Sequence, residues 1–358
     1  MPSYLQWAVA TLSVAAQCTA QTYTNCNPTK KTCNPDPGLR DYTFSTDFTS
    51  GQSAFDHWNI TAGSVESTEL GAAFTINKQG DAPTIQSKFY IFFGYVEFKL
   101  RASNGTGIIS TAVLQSDDLD EIDWEQISTF PNSIQTNYFG KGNSTTYDRA
   151  QTTSVTTPED TFHTYAVHWT SDKLEWLLDG SVVRTLNYAD AVGGSNYPQT
   201  PMYLKIGIWA GGDPTNEKGT IQWAGGKTDY SVAPFKMWLQ EVKVVNYNPA
   251  DQYKYGDLTG DWGSIKAENT TGSSSSSSST TTTTSSSSSK TRSDEASGGS
   301  EGVTSSKTTS SKETVNDTSA AESRSVAAVS ATGVSAASMV GNCLSLVGGA
   351  VVAAIMYI

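Results

Sequence analysis

Asp120-Glu-Ile-Asp-Trp-Glu125 alternates acidic and apolar side chains, the period-2 pattern of an extended strand whose successive residues point to opposite faces. Read this way, Glu121, Asp123 and Glu125 share one face while Ile122 and Trp124 turn to the other. Similar short alternating runs recur at 95–100, 164–169, 203–209 and 238–245. Clusters of Gly, Asn, Asp and Pro separate them as turns. No long amphipathic helix interrupts the series, so the pattern predicts an all-β domain of two antiparallel sheets packed as a sandwich. Asp179-Gly180, between 174–178 and 181–184, fits the tight turn of a hairpin.

Three carboxylates in a row on one face are costly unless they are used. The ends of the row, four residues apart, lie about 13 Å from each other at the alpha carbons. Side chains leaning inwards bring the end carboxyls to about 5 to 6 Å, the spacing of the nucleophile and acid/base pair in retaining glycosidases. Crowding of like charges also raises the pKa of at least one member, leaving one anion and one acid near neutral pH. Glu121 then suits the nucleophile, Glu125 the acid/base, and Asp123 the assisting neighbour that tunes Glu121. The competing readings are a solvated acidic edge strand and a calcium-binding turn. A loop site for a cation carries Gly or Asn among its acids, whereas Ile and Trp stand between them here.

The stretch Glu121-Ile-Asp-Trp-Glu125 resembles the catalytic strand of glycoside hydrolase family 16. The flanking segments narrow the resemblance to the fungal Crh-type cell-wall transglycosylases: Phe93–Arg101, Gln135–Phe139, Phe162–Trp169, Leu174–Gly180 and Ile206–Pro214. The resemblance implies a curved jelly roll whose concave face is the substrate cleft. It further implies a chitin donor and a β-glucan or chitin acceptor, hence cross-linking of the fungal wall, and ligand contacts at Lys205, Trp209 and Thr220. An endo-acting hydrolase and a non-catalytic wall glycoprotein are the alternatives.

Alternation along Tyr203–Trp209 puts Tyr203, Lys205, Gly207 and Trp209 on one face and Leu204, Ile206 and Ile208 on the other. Lys205 can donate to a sugar hydroxyl or acetamido oxygen and balance the carboxylates. Gly207 would leave room for a sugar, and Trp209 is either a stacking platform or part of the core. Trp-Ala-Gly-Gly occurs at 209–212 and again at 223–226, which adds Trp223 as a substrate contact. The glycine pairs would let backbone approach a ligand closely, a plain turn being the competing explanation. Gln135, Asn137 and Tyr138 are expected to offer hydrogen bonds and stacking on the donor side.

A net charge of -12 over 358 residues leaves no basic footprint, which argues against a nucleic-acid partner. The nine tryptophans and 16 tyrosines either pack the core or present faces to sugar rings. The polysaccharide substrate is the expected partner, the protein itself a monomer. No cofactor is expected, and no metal, because His57, His163 and His168 are not paired with cysteine at ligand spacing.

Residues 1–20 read as a cleaved secretory leader, although no Lys or Arg precedes the apolar run. Residues 21–268 form the catalytic domain, in which Cys26 and Cys33 are expected to be bridged in an oxidising compartment. The Ser/Thr-rich 269–329 reads as a disordered stalk. Residues 330–358, small and then apolar without charge, fit a GPI-anchor signal that is removed after lipid transfer. A retained membrane helix is the alternative; either places the protein outside the cell, at the plasma membrane or wall. Sequons at Asn59, Asn104, Asn143, Asn269 and Asn316 are candidates for N-glycosylation.

Overall fold

The computed structural model describes residues 24–269; the leader at 1–20, the Ser/Thr-rich stretch beyond Asn269, the anchor signal at 330–358 and Asn316 lie outside the described residues. Two antiparallel sheets carry the architecture. The first runs in the order Gln151–Ser154, Ser133–Phe139, Glu121–Ile127, Ile108–Ser116, Met202–Ala210, Thr84–Ile91 and Trp58–Ala62. The second runs Ser181–Asn187, Lys173–Leu178, His163–Trp169, Gly94–Arg101, Phe235–Asn246, Gly71–Ile76 and Val65–Thr68, with Thr43–Asp47 also paired to Phe235–Asn246. A small third sheet joins Asp36–Pro37, Gln252–Tyr255 and Ile265–Glu268.

Lys218–Trp223 is the one α-helix among the described residues. The expected hairpin turn is present: Asp179 and Gly180 both take positive φ, 49° and 79°, as a two-residue turn matched to strand twist requires. Cys26 and Cys33 form a disulfide with alpha carbons 5.9 Å apart.

The core lies between the two large sheets and is rich in aromatic side chains, with Trp124, Trp169, Trp176 and Tyr165 almost fully buried. Burying an indole is favourable only if its N–H finds an acceptor; Trp169 Nε1 donates to Pro198 O in a loop, and for Trp124 and Trp176 the acceptors belong to the facing sheet. Trp124 Nε1 donates to Ala166 O at 3.1 Å, and Trp176 Nε1 donates to Asp123 O at 3.1 Å. Trp124 also meets the Tyr165 ring edge-on at 5.4 Å between centroids. The apolar half of the Glu121–Ile127 strand is therefore fixed by packing and by hydrogen bonds through the core, which sets the direction of its acidic half.

Replacing Trp124 by Ala should cost about 3–5 kcal/mol of unfolding free energy, and by Phe about 1–2 kcal/mol, since the ring is largely kept while the Ala166 bond is lost. Urea titration of the secreted domain measures both.

Candidate active site

In an antiparallel ladder, directly opposed residues project to the same face, so the register lays out the surface above the first sheet. Glu121 stands opposite Phe139 on one side and Gln115 on the other; Asp123 opposite Asn137 and Val113; Glu125 opposite Gln135 and Thr111. One strand further, Tyr203 opposes Gln115, Lys205 opposes Val113, Gly207 opposes Thr111 and Trp209 opposes Ile109. Three rows thus cross the sheet: Phe139–Glu121–Gln115–Tyr203, Asn137–Asp123–Val113–Lys205, and Gln135–Glu125–Thr111–Gly207. The middle row continues through Gln86 to Asn59 on the edge strand.

The turn leading into the acidic strand is fixed by its own side chains. Asp120, fully buried, accepts from Lys141 N at 2.8 Å, Gln199 N at 2.7 Å and Thr200 Oγ1 at 2.9 Å. Its own N–H donates to Ser116 Oγ at 2.9 Å. Glu121 therefore leaves a rigid corner.

Electrostatics differentiate the three acids. Asp123 is 3% exposed, and its carboxyl is held well above the usual aspartate range by burial first, then by the charges of Glu121 and Glu125. Glu125, half-buried, is pushed up from 4.5 to about 8 by loss of solvent and by the charge of Glu121. At neutral pH Glu125 thus carries a proton. Lys205 is half-buried beside them; burial lowers its pKa while Glu121 and Asp123 pull it back up. Tyr203 closes the other end, its hydroxyl donating to Gln115 Oε1 at 2.7 Å.

An aromatic pair flanks the Glu125 end of the face. Trp209 and Trp223 stack with centroids 6.0 Å apart and planes 23° from parallel. Trp223 Nε1 donates to Gln135 Oε1 at 3.0 Å, which ties the pair to the residue opposite Glu125. Thr220 lies three residues before Trp223 on the Lys218–Trp223 helix, a spacing that puts both on one side of it. The structure thus brings Glu121, Asp123, Glu125, Gln135, Asn137, Lys205 and Trp209 onto one face, with Trp223 bonded to it and Thr220 on the adjoining helix.

Three expectations need correction. Tyr138 does not face the acids: it follows Asn137 by one residue, so the strand turns it into the core, 6% exposed, against Trp176 and Arg184. Gly207 is not there to admit a sugar, since a Cβ would come within 2.7 Å of Thr84 Oγ1 and 2.9 Å of Pro83 O. The neighbouring strand occupies that space. The glycines after Trp209 and Trp223 likewise face the protein itself: a Cβ on Gly212 would stand 2.3 Å from Gly226 O and one on Gly225 2.5 Å from the Thr129 side chain, and Thr228 N donates to Gly212 O at 2.9 Å.

Phe139, Gln115, Thr111 and Gln86 join the face without having been anticipated. Phe139 follows from the alternation that places Gln135 and Asn137. Thr111 and Gln115 lie in Ile108–Ser116, buried on both faces, where no alternation is visible in the sequence.

Asn59 and Asn104 are exposed. Asn143 Nδ2 donates to Asn196 Oδ1 at 2.9 Å, and Asn269 Oδ1 accepts from Asp251 N at 3.2 Å. Among the described residues no group of three His, Cys, Asp or Glu side chains is placed to hold a metal ion.

Residues 52–225 match the sequence profile of glycosyl hydrolases family 16. Crh-like protein 5 of Aspergillus fumigatus is 53% identical over 268 residues, 75% of this chain and 68% of that protein. This chain belongs to glycoside hydrolase family 16. Within the family its relatives are Crh-like: Crh-like protein 1 of A. fumigatus is 58% identical over 255 residues, 71% of this chain and 69% of that protein. Among solved structures, a Crh5 transglycosylase in complex with NAG superimposes with a TM-score of 0.66 at 55% identity, covering 68% of this chain and 99% of that one. The antiparallel sandwich is thus the fold of that transglycosylase as well.

The raised carboxyl pKa values have a consequence for folding. Glu125 holds its proton up to about pH 8 when folded but releases it near 4.5 in an exposed chain, so the folded state binds the extra proton in between. The contribution of Glu125 to stability is largest below about pH 4.5 and is lost as pH rises to about 8. Urea midpoints of the wild type relative to Glu125→Gln should decline across this range, the difference being the part that Glu125 contributes.

Proposed function

We propose that this chain is a retaining cell-wall transglycosylase that cleaves chitin and transfers the released chain to β-glucan or chitin. The single observation that carries this reading is the face just described: a strand bearing three carboxylates, the last of them protonated at neutral pH, beside a half-buried lysine and a tryptophan pair. A relative of 55% identity whose structure is that of a transglycosylase in complex with NAG supports the choice of donor.

Glu121 attacks the anomeric carbon of the donor, and the glycosidic C–O bond breaks as Glu125 passes its proton to the departing oxygen. The donor is then held as an ester on Glu121. Glu125, now a carboxylate, takes the proton of an acceptor hydroxyl, which attacks the same carbon and frees Glu121. Asp123 shares a hydrogen bond with Glu121 and steadies it between its charged and esterified forms. Lys205 donates to a sugar hydroxyl or acetamido oxygen. Trp209 and Trp223 give a ring a flat surface, with Thr220, Gln135 and Asn137 as polar contacts beside them.

Access to wall polysaccharide requires export and retention. The leader at 1–20, the Ser/Thr-rich stalk at 269–329 and the GPI signal at 330–358 supply these in the proposed protein, which acts as a monomer at the outer face of the membrane and in the wall.

Incubating the secreted protein with chitin oligosaccharides and a fluorescent β-glucan oligosaccharide tests the reading. Transfer yields labelled products longer than the acceptor, and Glu121→Gln should lower their rate on the order of 10⁴-fold while leaving sugar binding nearly unchanged. Steady release of reducing ends without longer products would make the protein a hydrolase. Unaltered sugars would make it a binding glycoprotein.

A further inference from the structure

Behind the acidic strand, on the side away from the cleft, sits a buried arginine. Arg184 belongs to Ser181–Asn187 in the second sheet and is 8% exposed. Its guanidinium spans the sandwich: Nη1 donates to Thr136 O at 2.8 Å and to Thr136 Oγ1 at 2.9 Å, and Nη2 donates to Arg149 O at 2.8 Å. It lies over the Trp176 ring at 4.4 Å and the Tyr138 ring at 5.4 Å from the centroids.

No carboxylate among the described residues lies within salt-bridge distance of Arg184. A cation buried without an ion-pair partner is expensive, so its place in the sandwich calls for a reason. Two of its three hydrogen bonds end on Thr136, in the strand next to the acidic one, and the third ends on Arg149 O, in the loop leading into Gln151–Ser154. Thr136 stands opposite Trp124 and between Gln135 and Asn137, two residues of the cleft face. Trp176, on which the guanidinium lies, donates to Asp123 O.

Arg184 and Asp123 also feel each other's charge. Burial lowers Arg184 to about 10, offset first by Tyr138 and then by Asp123, and Arg184 is the smallest of the influences on an Asp123 carboxyl that burial, Glu121 and Glu125 raise. On the cleft side Lys205 faces the same acid. Asp123 is thus within electrostatic reach of a cation on each side of the sheet.

We propose that Arg184 is a positioning residue for glycosyl transfer: from the core its hydrogen bonds hold Ser133–Phe139 in place against the acidic strand, and its guanidinium lends a positive charge from the far side of the sheet. The proposal rests on the assignment of Glu121 and Glu125 given above and extends it to a residue that no sugar can touch.

Two variants separate the two contributions. Arg184→Met removes both the charge and the bonds, and Arg184→Lys keeps the charge but cannot make three bonds in a fork. In Arg184→Met the acidic limb of the kcat/KM profile should move up by about half to one pH unit, because that limb reports the carboxylate that must be bare for attack. The alkaline limb, set by Glu125, should stay. In Arg184→Lys both limbs should stay while kcat drops about tenfold or more.

A carbon-13 titration of the Asp123 carboxyl in wild type and Arg184→Met reads the charge effect without turnover, and the midpoint should rise in the variant. An inert wild type would sink the transglycosylase assignment while the titration still decides the counter-charge. An unmoved Asp123 midpoint and an unmoved acidic limb in Arg184→Met would overturn the counter-charge. If Arg184→Met does not fold, wild-type kcat in Arg184→Lys overturns the positioning role, and a kcat loss with fixed limbs and unchanged melting temperature supports it.

Discussion

The two-residue period of a single strand is the constraint on which the rest depends. Ile122 and Trp124 are driven into the core by the free energy of burying apolar surface, and Trp124 is then pinned by its bond to Ala166 O. Once those side chains are committed, the backbone has no freedom left to decide where Glu121, Asp123 and Glu125 point. Three carboxylates are forced onto one face, at fixed spacing, by residues that never meet a substrate. The stability of the sandwich and the geometry of the site are one interaction seen from two sides of a sheet.

That forced crowding is also what differentiates the acids chemically. In water, carboxylates at this spacing would all ionise at pH 7. On the face of a folded sheet, loss of solvent and mutual repulsion hold Asp123 and Glu125 protonated above their ordinary range. A general acid at neutral pH needs no exotic group under these conditions, only a glutamate placed beside another charge where water is scarce. Lys205, on the same face and pulled up by Glu121 and Asp123, is the cation set against that repulsion.

The alternating runs of the sequence were sufficient to anticipate the sandwich, the hairpin at Asp179-Gly180 and the common face of the three acids. Lys205 and Trp209 followed from the same rule. What alternation alone did not yield was anything that depends on a third strand. Tyr138 is a different case, which alternation itself decides: it is adjacent to Asn137 in a strand, and adjacency in a strand means opposite faces. Gly207 looked like space for a sugar because Thr84 and Pro83, over a hundred residues away, are invisible as neighbours until the register is known. Arg184 sits at the end of a hairpin with every outward sign of a surface charge, among Ser181, Val182 and Val183, all exposed, and only the facing sheet reveals that it is buried.

The central claim is that Glu125 carries a proton at neutral pH because Glu121 and burial deny it a charge. Neutron diffraction from deuterated crystals grown at pD about 6, between the ordinary glutamate range and the shifted one, observes that proton directly. Deuterium density on one Glu125 oxygen in the wild type is the predicted result. A Glu125 carboxylate with both oxygens bare under those conditions would contradict the account.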